Sequence, residues 1–217
     1  MKQILAEFFA TFLMIFAVLE CVIWFAGSDA MLALGMVALV SGIAVTLLIV
    51  FFGKISGAHM NPAVSTAIWL DRQLSFSMLS GYTAAQFAGA LGAALLVDLI
   101  HPDGYTMGNT LPSISLGLAW VLEFGLTMIL MGVIYWSTDK RNPRLNKIAS
   151  ILIGVAIIIE ILVAGALCGA SMNPARSLGP AIVSGKVGFL WIYLTAPIAG
   201  AVVARYANQI FSERGKS

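Results

Sequence analysis

Apolar segments about as long as a lipid bilayer is thick dominate this 217-residue chain. An α-helix needs about 20 apolar residues to cross the hydrocarbon core of a membrane. Six segments reach that length, near residues 3–26, 31–53, 77–100, 115–137, 147–168 and 187–211. Only 10% of the residues are charged, whereas a soluble domain carries about 25%. The sequence therefore predicts an all-α integral membrane protein, a single transmembrane domain over 1–217 in a lipid bilayer.

The distribution of positive charge predicts how the chain is oriented. The loops at 27–30 and 101–114 contain neither Lys nor Arg. The basic residues of the central loop and of the C-terminal region are Lys140, Arg141, Arg144, Lys147, Arg205, Arg214 and Lys216. Because Lys and Arg accumulate in cytoplasmic loops, both termini and the central loop are expected in the cytoplasm. The apolar segment after Met1 exceeds a signal-peptide core, so we interpret it as a retained first span.

Two shorter apolar pieces, 61–70 and 173–183, cannot cross a membrane, and each begins with Asn-Pro. The surrounding sequence repeats as well: the block around Glu7 resembles that around Glu123, and 85–90 resembles 196–201. Each half contains three spans, an odd number, so the halves must insert with opposite topology. We therefore predict inverted repeats of approximately 1–110 and 111–217, with a site at their interface near the membrane midplane.

The repeated Asn-Pro-Ala motif predicts two half-helices. Asparagine is a favoured helix N-cap, and proline is favoured at the first helical position. The motif residues are Asn61, Pro62, Ala63, Asn173, Pro174 and Ala175. If the half-helices enter from opposite sides, their positive dipole ends meet near the membrane centre. This arrangement opposes cations and protons.

The residues before each motif are expected to be non-helical and to line a wet pore, because such backbone is tolerated at this depth only in a protein interior or beside water. The predicted pore-loop residues are Gly57, Ala58, His59, Gly169 and Ser171. Their carbonyl groups would accept hydrogen bonds along the path to the two Asn side chains. Such a pore suits neutral molecules that both donate and accept hydrogen bonds.

With both motifs in matched repeats, the chain resembles the aquaporins, the major intrinsic protein family, over residues 1–211. The resemblance implies six spans plus two half-helices, a pore in each subunit and a homotetramer. The net charge of +2 suggests no nucleic-acid partner, the two cysteines have no metal-ligand spacing, and no cofactor is expected. It also implies that Glu7 and Glu123 brace the two pore loops through hydrogen bonds to backbone amides. An intramembrane carboxylate needs such a partner.

Solute choice is expected at a constriction around Arg176, which follows the second motif directly. By the resemblance, Ser41, Ile161 and Ala170 complete this selectivity filter; a slip of one residue at the first place would select Val40 or Gly42 instead. Water-selective members carry an aromatic residue and a histidine at the first two places, so this filter is wider. It is similar to that of the nodulin-type intrinsic proteins, which implies passage of glycerol, urea, boric acid or arsenous acid.

Other functions remain compatible with the sequence. A strict water channel is the closest alternative, and a coupled secondary transporter is a more distant one, because the unwound segments contain no acidic residue. An enzyme is not expected, since the sequence has no nucleophile with a base and no metal-ligand spacing. The short termini favour a bacterial cell membrane over a plant membrane.

Four further polar residues lie outside the repeated pore motifs. Glu160 adjoins Ile161 and either positions Arg176 or pairs with another span, and Glu20 lies near the outer end of the first span. His101 and Asp103 lie in an outer loop and indicate nothing specific.

Overall fold

The computed structural model describes residues 1–102 and 108–214, and the part of the chain it describes is all-helical. The helices are α1 (Lys2–Trp24), α2 (Ala30–Ser56), α3 (Pro62–Leu70), α4 (Phe76–Ile100), α5 (Leu116–Ser137), α6 (Pro143–Asn146), α7 (Ala149–Cys168), α8 (Pro174–Val183) and α9 (Leu190–Arg214). Six of them are long and apolar enough to cross a membrane. The predicted fold, six spans with two half-helices, is therefore confirmed. The short helix α6 in the basic loop was not predicted. Asp103 lies outside the described residues.

The helix packing has the same pattern in both halves of the chain. Helix α1 packs along α4 as α5 packs along α9, and α2 meets α7 at the centre. Each half-helix also crosses to the opposite half: α3 packs on α9, and α8 packs on α4. The two halves are therefore interlocked, as inverted repeats allow. The boundary between repeats near residue 110 remains a prediction.

Glycines allow the long helices to approach one another at matched places. A Cβ atom on Gly89 would stand 2.5 Å from the carbonyl oxygen of Phe8 on α1, and a Cβ atom on Gly200 would overlap that of Phe124 on α5. Gly42 and Gly154 make the same kind of close approach where α2 crosses α7. Lipid tails are as apolar as the helix surfaces, so no hydrophobic driving force brings helices together in a membrane. The helices associate through close packing instead, and small residues allow it.

The end of the bundle that carries the basic loop is called the basic face below, and the other end the opposite face. At the basic face, Asp71 follows α3 and accepts a hydrogen bond from the Tyr135 hydroxyl at 2.5 Å. The same carboxylate accepts one from Nε of Arg205 at 2.9 Å. The C-terminal end of α3 is thereby fixed to α5 and α9.

Replacing Gly89 with Ala tests the close packing of α1 on α4. The added methyl group meets backbone that cannot rotate away, so α1 must shift, and overpacking of this kind costs about 1–3 kcal/mol. We expect G89A to lower the unfolding temperature in detergent. G92A on the same helix is the matched control, since its Cβ atom would stand 3.5 Å from the Phe12 ring, an ordinary contact. Equal unfolding temperatures for the two variants would contradict this packing.

Candidate functional site

The two half-helices begin at the centre of the bundle, each capped by the Asn of its motif. Asn61 has extended backbone, and its side-chain oxygen accepts a hydrogen bond from the Ala63 amide at 2.9 Å. Asn173 is also extended and accepts one from the Ala175 amide at 2.9 Å. Both helices have proline at the first position, where no amide hydrogen is needed. The sequence thus directs both half-helices to start at these residues.

The side chains of the two Asn residues link the two pore loops across the centre. Nδ2 of Asn61 donates to the carbonyl oxygen of Met172 at 2.8 Å. Nδ2 of Asn173 donates to the carbonyl oxygen of Met60, also at 2.8 Å. Each amide group therefore satisfies a carbonyl of the opposite loop. Since an amide has two N–H bonds, the second on each Asn remains for a molecule in the pore.

The backbone before each Asn is non-helical and partly left-handed. Gly57 and Gly169 both have φ of 91° and end α2 and α7. The left-handed non-glycine residues that follow are Ala58, Met60, Ala170 and Met172, with φ of 49°, 50°, 41° and 53°. Such residues cost of order 1–3 kcal/mol each unless their surroundings hold them. These loops therefore need side-chain support.

Glu7 on α1 supplies that support in the first half. It is fully buried, and its carboxylate accepts hydrogen bonds from the amides of His59 at 2.9 Å and Met60 at 2.7 Å. The Ser56 hydroxyl donates to it at 2.6 Å and Nε2 of Gln86 at 2.9 Å. Four donors thus meet one buried carboxylate, which offers about four acceptor positions.

Glu123 on α5 occupies the matched place in the second half and is also fully buried. Its carboxylate accepts hydrogen bonds from the amides of Ser171 and Met172, each at 2.8 Å. The contacts that the resemblance implied for both glutamates are thus present in the structure.

Two tyrosines that the sequence reasoning missed hold the same loops. The Tyr82 hydroxyl donates to the Ser56 carbonyl at 2.8 Å, and the Tyr193 hydroxyl donates to the Cys168 carbonyl at 2.6 Å. Both are fully buried, and each satisfies the last carbonyl of the helix that leads into a pore loop. The repeat itself carried the signal, because each tyrosine stands three residues before the matched blocks 85–90 and 196–201.

A cavity of about 320 Å³ runs past both Asn residues and includes all four predicted filter residues. Among the residues that line it are Ser41, Gly57, Ala58, His59, Asn61, Ile161, Ala170, Ser171, Asn173 and Arg176. Helices α2 and α7 contribute apolar side chains at four-residue spacing, including Val45 and Ile157. The wall is therefore mostly apolar. Apart from Ser41 on α2, its polar side chains lie in the loops and at the half-helix starts. Gly169 does not line the cavity, because it packs against Thr110.

Arg176 lies in the first turn of α8 and is held from two directions. Its NH1 donates to the Gly108 carbonyl at 2.7 Å, on the side of the opposite face. Its charge also interacts with that of Glu123 behind the second pore loop. Among the described residues, its guanidinium donates no other hydrogen bond, and Arg176 lines the cavity.

The side chains of the other polar residues singled out in the sequence have the following surroundings. Glu20 lies against the His101 ring at 3.2 Å near the opposite face. Glu160 is buried, but neither of its oxygens has a hydrogen-bond partner among the described residues. Among the described residues, Arg176 therefore donates no hydrogen bond to Glu160. His59 directs its Nδ1 to the Ser65 hydroxyl at 3.0 Å.

Comparisons with known proteins agree with this geometry. Residues 1–207 match the family described as Major intrinsic protein. The chain is 34% identical to Nodulin-26 of Glycine max, over 100% of this chain and 83% of that protein. It is 36% identical to Glycerol uptake facilitator protein-like 6 of Lactiplantibacillus plantarum, over 97% and 98% of the two chains. The solved aquaglyceroporin from Plasmodium falciparum superposes with a TM-score of 0.84 at 26% identity, covering 97% of this chain and 96% of that one.

Replacing Glu7 with Gln tests the support of the first pore loop. The NH2 group of Gln is a donor, so it cannot accept the hydrogen bonds that one of the two carboxylate oxygens accepts in the wild type. The groups that donate to that oxygen would be left without an acceptor, and an unsatisfied buried group costs about 1–3 kcal/mol. We expect E7Q to lower both the free energy of unfolding and the solute flux per channel in proteoliposomes. E20Q, at a partly exposed carboxylate, is the matched control and should retain both. Wild-type flux in E7Q would show that the loop does not depend on this carboxylate.

Proposed function

We propose that this chain, which belongs to the major intrinsic protein family, is a passive channel for glycerol-sized uncharged solutes as well as water. The observation that carries this proposal is the set Ser41, Ile161, Ala170 and Arg176 around one cavity with both motif asparagines. Three of these four side chains are small or aliphatic. The filter thus has one strong donor group and a wide, largely apolar remainder.

A polyol fits the two kinds of wall that this pore presents. The hydroxyl groups of the solute would meet the N–H groups of Arg176 and the loop carbonyls, while its C–H groups face Ile161. The Ser41 hydroxyl donates to the Val37 carbonyl at 2.6 Å, so its oxygen is presented to the pore as an acceptor. Urea, boric acid and arsenous acid are uncharged molecules of similar size and are proposed as further solutes.

Ions and protons are excluded by the charges at the centre and at the filter. The converging starts of α3 and α8 each bring the positive end of a helix dipole, and Arg176 adds a full positive charge. Both asparagines present N–H donors rather than acceptors at the midpoint. A water molecule there must accept from both, which interrupts a proton-conducting chain. Positively charged and oriented groups of this kind exclude cations and protons from aquaporin-type pores.

The exposed apolar surface and the basic face suggest how the subunits assemble and how they are oriented in the membrane. Large apolar side chains are exposed along α2 and α7, including Ile43, Leu47, Ile151 and Val155. We propose that four copies pack through such surfaces, each with its own pore, and that the basic face is cytoplasmic. The match along nearly the whole length of a bacterial relative supports a bacterial cell membrane.

Stopped-flow light scattering of proteoliposomes tests the proposed solute range. We expect glycerol, urea and boric acid gradients to collapse faster than in protein-free vesicles, together with water. The variant S41F/I161H narrows the filter and adds a polar ring, so it should slow glycerol strongly and water much less. Water flux in the wild type with complete exclusion of all three solutes would contradict the proposal and favour a strict water channel.

A further inference from the structure

The two buried glutamates that hold the pore loops have different surroundings. Two of the four donors to Glu7 are side chains, the Ser56 hydroxyl and Nε2 of Gln86. The other two are the backbone amides of His59 and Met60. The four donors therefore match the acceptor positions of the Glu7 carboxyl group.

The matched positions around Glu123 lack those side-chain donors. Cys168, which ends α7 as Ser56 ends α2, offers only a thiol, a weak donor. Pro197 stands where Gln86 stands in the first half, because Tyr82 and Gly89 match Tyr193 and Gly200. Proline has no side-chain donor. Apart from the weak thiol, the Glu123 carboxylate accepts, among the described residues, only the two backbone hydrogen bonds described above.

At one further position, the second half has a polar residue where the first half has an apolar one. Glu160 on α7 stands at the place of Leu48 on α2, counted from the glycine that ends each helix. The Glu160 residue is only 5% exposed, and both its oxygens are without a partner among the described residues. Helix α7, which carries Glu160, packs on α5, which carries Glu123, and the charges of the two glutamates interact. Glu123 itself interacts with Arg176, Cys168 and Tyr193. The second half thus lacks the two side-chain donors of the first half, but it has an additional carboxyl group, that of Glu160, near Glu123.

An ionised Glu160 is unfavourable in this place. A buried charge without a hydrogen-bond partner is costly, and two neighbouring buried carboxylates cannot readily both ionise. Glu123 has two amide donors and Glu160 has none, so the proton belongs on Glu160. A protonated carboxyl group also offers an O–H donor.

We propose that Glu160 carries a proton at neutral pH and directs its O–H group to Glu123, in place of the side-chain donors that Glu7 receives. The two carboxyl groups then share a single negative charge. None of the described residues hydrogen-bonds the Glu160 oxygens, so turning this side chain toward Glu123 would break no hydrogen bond among them. Glu160 is thus a positioning residue for the second pore loop, and through it for Ala170 and Arg176. Only the transport readout below rests on the proposed function.

Infrared spectroscopy tests the proton directly and independently of transport. The difference spectrum between wild type and E160Q at neutral pH should show the C=O stretching band of a protonated carboxylic acid, present in the wild type and absent in the variant. E20Q is the control and should leave that band in place. An unchanged band in E160Q, or no band in the wild type, overturns the proposal.

Rescue experiments test the role of the donor. E160Q keeps a donor group and should conduct glycerol at the wild-type rate, whereas E160L introduces the residue of the first half and should lower glycerol flux severalfold. The double variant E160L/P197Q copies the first half at both places and should restore flux toward the wild-type rate. Wild-type flux in E160L, or no rescue by P197Q in folded protein, overturns the positioning role. If E160L does not fold, the infrared experiment still decides.

Discussion

Non-helical backbone at the centre of a membrane must have every polar group satisfied, and the rest of this structure depends on that constraint. Four left-handed non-glycine residues before the motifs leave amides and carbonyls that no helix can pair. The amides of Met60 and Met172, and of the residue before each, donate to Glu7 and Glu123. The carbonyls of Met60 and Met172 accept hydrogen bonds from the two asparagines. These contacts require α1 and α5 to pack against the loops, which the small residues of the bundle permit.

Some pore residues recur in both halves of the chain, whereas others occur in one half only. Both halves contain a motif asparagine, a loop glutamate and a tyrosine that holds the loop. Together these residues form the central barrier, which does not select among neutral molecules. We propose that the solute range depends on positions where the halves differ. Arg176 stands where the first half has Val64, and Glu160 stands where it has Leu48. Both changes lie in the second half, around the same loop.

The sequence was most informative where one residue type has one structural use. Asn-Pro predicts a helix start, so both half-helices were placed correctly, and long apolar runs predicted the spans. The tyrosines were missed because an aromatic residue in an apolar segment gives no sign of which carbonyl its hydroxyl will reach. Glu160 could be flagged as unusual, but its surroundings depend on how α7 packs on α5. Gly169 was expected to line the pore, but it is not among the residues that line the cavity, and a Cβ atom at this position would meet Thr110.

The central claim is that these loops pass neutral solutes while they block protons. It is tested most directly by loading proteoliposomes with a pH-sensitive dye and following glycerol entry and internal pH in the same vesicles. The account predicts rapid glycerol entry while an imposed pH gradient decays no faster than in protein-free vesicles. Glycerol entry that depends on the pH gradient, or that dissipates it, would contradict the account and indicate a coupled transporter.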